Sequence, residues 1–195
     1  MLNKLFKKSA IILLPLSFIA CSFLTPIPTP TSADIEKEEQ SVYSFFIHDT
    51  SGAALILQET STNISEDHPE ESINFIKSGL KNISKETVDS YLTRNAKSSQ
   101  LSPDMHLGMD YKLLTTDELG KISGQPNWGE LLTQKYPNSH GYTIFSRVGF
   151  NNSLNQAVIY VGNVAGPMMG SGFYYLMEKK NGEWLLKEQV MSWIS

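Results

Sequence analysis

The chain is nearly without cysteine and arginine: Cys21 stands alone, and Arg94 and Arg147 are the two guanidinium groups in 195 residues. A single thiol forms no disulfide within the chain, so stability comes from an ordinary apolar core. Positive charge is also thin, with 16 basic residues against 20 acidic ones. Beyond the first eight residues no Lys/Arg cluster stands ready for phosphates, which excludes a nucleic-acid footprint. The same lack excludes a polybasic patch for anionic lipid. Internal repeats and heptads are missing. So are the Gly-x-Ser-x-Gly elbow of many hydrolases and the Gly-Lys-Ser/Thr ending of a phosphate loop. The four histidines (His48, His68, His106, His140) and their acidic neighbours, such as Asp104 and Asp110, are the right residue types for a metal but lack ligand spacing. No metal and no other cofactor is expected.

What is present starts at the amino end. Lys4, Lys7 and Lys8 precede an apolar run of 11 residues, Ala10 to Ala20, and Cys21 follows directly. A helix needs about 20 apolar residues to cross a bilayer core of about 30 Å, so this run is short for a span and fits a secretory h-region. A basic start, a short apolar core, a small residue at Ala20 and then cysteine resemble a bacterial lipoprotein signal. Phe18 stands where such signals usually carry Leu. The resemblance implies cleavage before Cys21, acylation of its thiol and tethering to a membrane, with Ser22 favouring the outer membrane if the cell is Gram-negative. A plain secretory signal and an uncleaved anchor are the alternatives. One acyl chain holds a protein only marginally, whereas two or more hold it firmly. Removing the three signal lysines from the 16 basic residues leaves 13 against 20 acidic ones, a net charge of −7.

Three segments follow from this reading: a signal peptide over 1–20, a lipidated cysteine with a Pro/Thr-rich linker over 21–33, and one globular domain over 34–195. Pro26, Pro28 and Pro30 make the linker an extended, semi-rigid spacer. Within the domain, helices are expected over 34–48, 70–80, 84–92 and 128–136, with a short helical turn capped by Thr116. Acidic residues crowd the first helix at its start, as the helix dipole favours, and Val42, Phe45 and Phe46 supply its apolar face. Strands are expected over 53–58, 106–114, 142–150, 156–162, 173–180 and 184–194. Asn181-Gly182 is the strongest local signal, a two-residue type I′ hairpin turn needing positive φ at both residues. That turn sets Lys180 opposite Glu183, Met177 opposite Leu186, Tyr175 opposite Glu188 and Phe173 opposite Val190. One sheet face then meets the helices and the other is partly wet. Together these elements predict an α+β domain, with short N-terminal helices packed on a C-terminal antiparallel sheet of about four to five strands.

The string from Ser146 to Asn151 (SRVGFN), then Gln156-Ala157, the Gly-rich 166–172 and the ending EKKNGEWLLKEQVMSWIS resemble a family of uncharacterised bacterial exported proteins. The family implies no activity. Its two cysteines in the Gly-rich turn fall at the places of Ala165 and Met169, so no thiol chemistry carries over.

Two groups of residues merit testing. Arg147, Glu188 and Tyr175 would form a polar pocket if Glu188 sits on the otherwise apolar hairpin face, because a buried carboxylate needs a partner. The bland reading is a structural ion pair. The loop from Gly162 to Gly172 carries Met168 and Met169, an adaptable apolar contact surface for a partner; its glycines read equally as a long hairpin connection. The expected function is a lipid-anchored cell-envelope module that binds a protein or small molecule. The alternatives are an envelope hydrolase with an acidic pocket around Glu188, and a structural envelope lipoprotein.

Overall fold

A computed structural model describes residues 29–48 and 53–195. The signal peptide, Cys21 and most of the linker lie outside the described residues.

Helix α1 (Ser32–Ile47) opens on a capping box: the Thr31 hydroxyl accepts from the Asp34 N–H, and the Asp34 carboxylate accepts from the Thr31 N–H. The helix therefore begins two residues before Asp34. Strand β1 (Ala54–Leu57) leads to helices α2 (Pro69–Gly79) and α3 (Lys85–Arg94), and Ser84 caps α3 as its sequence position suggests. Strand β2 (Tyr111–Leu114) precedes α4 (Thr116–Ser123) and α5 (Trp128–Lys135); the cap of α4 is Thr115 and not the expected Thr116, because Glu118 at the third helical position closes a second capping box with it. The remaining strands are β3 (Tyr142–Phe145), β4 (Gly149–Phe150), β5 (Gln156–Gly166), β6 (Met169–Lys180) and β7 (Glu183–Ile194).

The protein is α+β, with one seven-stranded sheet ordered β2-β1-β3-β5-β6-β7 and β4 beside β5. Its C-terminal strands β3 to β7 form the expected antiparallel part. Strands β1 and β2 extend it in parallel, with α2 and α3 between β1 and β2 and α4 and α5 between β2 and β3. Apolar clusters lie on both faces, which replaces the expected wet side. On one face α1 places Val42, Tyr43 and Ile47 over Phe145, Ile159, Val161 and Met177. The Tyr43 and Phe145 rings stack at 4.6 Å, worth about 0.5–1.5 kcal/mol beyond area burial. On the other face Ile76, Leu80 and Tyr91 from α2 and α3 cover Val158, Tyr174 and Leu176. Helices α4 and α5 cover Leu55 and Leu114.

Two departures matter for the site. Asn181 and Gly182 have φ of 53° and 89°, as the hairpin turn requires, and Lys180 pairs with Glu183. A bulge at Lys187 then shifts the register by one, so Glu188 faces Leu176 and Tyr175 faces Gln189. A one-residue slip reverses faces, and Glu188 leaves the α1 face that holds Tyr175. The second departure is that the Gly-rich segment is no long loop. Strands β5 and β6 run through it to a tight turn at Pro167-Met168, with a bulge at Ala165.

Candidate functional site

The three residues singled out as a polar pocket are not brought together. Glu188 accepts hydrogen bonds from the backbone N–H of Asn82 (3.4 Å) and from the Asn82 side-chain amide. Tyr175 packs in an aromatic cluster with Phe46 and Phe173 at ring distances of 4.7 and 5.8 Å. Arg147 lies in the break between β3 and β4 and turns to Glu39 instead.

Glu39 is the centre of the polar network that does form. It is 5 % exposed and takes both arginines of the chain. Arg147 Nε donates to Oε1 at 2.9 Å and to Oε2 at 3.1 Å, with its Nη2 2.8 Å from Oε2. Arg94 Nη2 donates to Oε1 at 2.9 Å, and the Val148 N–H adds a fourth donor group, also at 2.9 Å. Burial alone would push the carboxyl pKa up; the Arg147 hydrogen bonds, the charges of both arginines and the Val148 N–H outweigh it and hold the group below its ordinary range. Asn95 ties the same point to α3, accepting from the Arg147 N–H and donating to the Arg147 carbonyl, each at 2.9 Å. This network clamps α1, α3 and the β3–β4 break. Every oxygen of Glu39 is engaged by protein donors, which marks a structural role.

Glu39 was legible in one respect. It lies three and four residues before Val42 and Tyr43, on the apolar stripe of α1, where a carboxylate demands a cationic partner. Its neighbours Asp34, Glu36 and Glu38 masked it as one more acidic residue at a helix start.

The larger opening lies on the same sheet face, past the carboxyl end of α1. The N-terminal half of α1 is held at the β6–β7 turn, where Glu38 accepts from Lys179 Nζ (2.5 Å) and Trp184 Nε1 (2.9 Å). The helix runs from there toward the β5–β6 turn and ends before it. A cleft of about 630 Å³ remains, walled by Ala54 and Leu55 of β1, Ala165 of β5, Met169 of β6 and Ile194 of β7, with Ser139 and His140 at its rim. Its floor is a cross-strand row: Thr143 pairs with Asn163, Asn163 with Ser171, and Ser171 with Ile194. The next row toward α1 is Phe145, Val161 and Phe173. Three small hydrogen-bonding side chains thus interrupt an apolar face where the helix stops covering it. Among the described residues no lysine, arginine, aspartate or glutamate lines this cleft.

Met168 and Met169, the expected partner contact, sit at the tip of the β5–β6 hairpin at 80 % and 64 % exposure. Met169 forms part of the cleft wall. The glycines beside them serve the opposite face. Gly162 and Gly172 are cross-strand partners. A Cβ on Gly172 would lie 2.2 Å from Trp193 Nε1 and 2.6 Å from the Tyr160 hydroxyl. Their absence makes room for the 2.7 Å hydrogen bond from Trp193 to Tyr160. The Gly-rich pattern is therefore packing, while Asn163 and Ser171 within it supply the cleft floor.

Among the described residues no group of three or more His, Cys, Asp and Glu could hold a metal ion, and no helix is long and apolar enough to cross a membrane. No protein-family model, curated protein or solved structure matches the chain.

Proposed function

We propose that this protein is a lipid-anchored cell-envelope module that binds an uncharged ligand in the cleft beyond α1. One observation carries the reading: among the described residues, the cleft beyond α1 holds a row of neutral hydrogen-bonding groups and no Lys, Arg, Asp or Glu, in a chain where 18 % of residues are charged. Binding sites pair apolar walls with a few placed polar groups, and a lining without Lys, Arg, Asp or Glu side chains favours an uncharged ligand because a buried charge would go unpaired. The amino-terminal signal ending at Cys21 supports the address. The tether enters at Thr29 and Pro30, beside Phe150 and Leu154, at the end of the sheet that holds the β6–β7 turn. The cleft lies at the other end, about 37 Å away along β6 at about 3.4 Å per residue. A domain held by its tether would present this cleft away from the membrane. The hydrolase reading around Glu188 finds no support in the geometry, since Glu188 pairs with Asn82 and shares no cavity with Arg147.

A thermal-shift screen with neutral, cationic and anionic fragment sets tests the proposal. A neutral ligand at ten times its Kd adds about 1.4 kcal/mol, or roughly 3–6 °C for a chain of this size. Hits should fall in the neutral set and disappear in Met169→Asp, which sets a charge in the wall. Hits concentrated in a charged set, or unchanged by Met169→Asp, would contradict it.

A further inference from the structure

On the sheet face that carries α2 and α3, the loop before α2 is tied to β6 and β7 and leaves a groove of about 570 Å³, within the ~300–1,000 Å³ of small-ligand sites. Asn63 anchors that loop. Its backbone is left-handed, with φ of 43°, a conformation that asparagine tolerates. The hydroxyl of buried Tyr174 donates to the Asn63 carbonyl at 2.5 Å and accepts from Asn63 Nδ2 at 2.9 Å, and Nδ2 also reaches Ser192 Oγ at 3.3 Å. The donor end of this amide is spent on the protein. Among the described residues none donates to Asn63 Oδ1, which keeps its acceptor capacity.

The rest of the lining is mixed. Ser192 Oγ accepts from Asn63, Ser72 Oγ accepts from the Ser65 N–H at 3.1 Å, and Ser65 Oγ accepts from the His68 N–H at 3.0 Å. Each of these hydroxyls keeps its proton and one lone pair. Glu71 adds a carboxylate that no described residue bonds. Ile64 and Phe75 supply the apolar surface, and Phe75, 38 % exposed, rests against the Tyr174 ring at 6.2 Å.

These groups select by elimination. Among the described residues no lysine or arginine lines the groove, and Glu71 disfavours an anion. A cation satisfies Glu71 and leaves the serine protons without acceptors. A peptide carries one backbone donor and one acceptor per residue, fewer than these groups ask of one short ligand. A saccharide hydroxyl both gives and takes a hydrogen bond, so neighbouring hydroxyls meet carboxylate, amide oxygen and serines together. The C–H face of a sugar ring also meets the negative face of an aromatic ring. We infer that this groove binds a short, uncharged saccharide, with one ring on Phe75 and its hydroxyls shared among Asn63, Glu71, Ser72 and Ser192. This second site lies across the sheet from the cleft beyond α1 and is independent of the function proposed for that cleft.

The test is an NMR titration of the protein with cellobiose, maltose and lactose at millimolar concentration, beside 1,4-diaminobutane as a cation and N-acetyl-Ala-Ala amide as a peptide. At least one saccharide should shift the Asn63 side-chain amide and the Phe75 ring resonances. Phe75→Leu, which keeps bulk and loses the ring, should weaken that binding about fivefold, and Phe75→Tyr should retain it. Glu71→Gln, at an exposed position, should weaken it with an unchanged melting temperature. Met169→Asp, in the other cleft, should leave it unchanged, which separates failure here from failure of the proposed function. Saccharides that leave both resonances in place, or shifts produced by the diamine or the peptide alone, would overturn the assignment. So would an affinity unchanged in both Phe75→Leu and Glu71→Gln, or one lost in Met169→Asp.

Discussion

Replacing Glu39 by Gln keeps the shape of the side chain and removes the one negative charge shared by Arg94 and Arg147. Two guanidiniums, 21 % and 26 % exposed at the side chain, would then face each other across a neutral amide. Breaking a buried ion pair by removing one partner costs about 3–5 kcal/mol. Partial exposure of both arginines admits screening water, which sets the expectation at the lower end, about 3 kcal/mol. Natural domains hold only about 5–15 kcal/mol in total, so the loss is a large share. Urea unfolding followed by tryptophan fluorescence measures it as a lower midpoint at constant slope. The effect also has a pH signature. A carboxyl whose folded-state pKa lies below its unfolded value contributes stability above that unfolded value, about 4.3, and loses it as pH falls through the folded value. Wild type should therefore lose more stability than Glu39→Gln between pH 5 and pH 3, and the two should converge in acid. A cost under about 1 kcal/mol with parallel pH profiles would refute the assignment of Glu39 as the clamp of α1, which is the size expected of an exposed pair.

Other outcomes follow from the same structure. Glu188→Gln should cost less than about 1 kcal/mol, since its partner Asn82 lies at the surface; a loss as large as that of Glu39→Gln would contradict its placement. Gly172→Ala should destabilise by about 1–3 kcal/mol, because its methyl meets Trp193 and Tyr160 within 2.6 Å, and a blue-shifted or quenched Trp193 emission would report the displaced hydrogen bond; an unchanged melt would refute the packing role of this glycine. Under dilute peroxide, Met168 and Met169 should become sulfoxides well before Met105 and Met177, which are buried; peptide mapping showing uniform oxidation would contradict an exposed hairpin tip. Cys21→Ser should abolish radiolabelled fatty-acid incorporation and release the protein from the membrane fraction; label retained in the variant would contradict the anchor.

Much of the fold was legible because its signals are local. Ser84 caps its helix through a side-chain oxygen three residues ahead of the N–H group it bonds, and Asn181-Gly182 needs only its own backbone geometry; the Thr31 cap, read as part of the linker, was missed. The α+β class followed from the order of periodic segments. What escaped depends on long-range registration. The bulge at Lys187 leaves no mark in composition or alternation, yet it carries Glu188 to the opposite face from Tyr175 and dissolves the expected pocket. The parallel seat of β1 and β2 beside β3 depends on crossovers far apart in the chain. Thr143, Asn163 and Ser171 are unremarkable polar residues in sequence; only the pairing of three strands aligns them, past the end of α1. Met168 and Met169 were legible as an exposed apolar pair, though their place on the wall of a cleft was not.

The location of the ligand is the point on which the functional account turns. Selective ¹³C-methyl labelling of methionine and isoleucine, read during titration with a neutral-fragment hit, measures it directly. The account expects shifts at Met169 and Ile194 with Met177 and Ile159, buried under α1, left unmoved. Shifts confined to other surfaces, with Met169 and Ile194 silent, would contradict it.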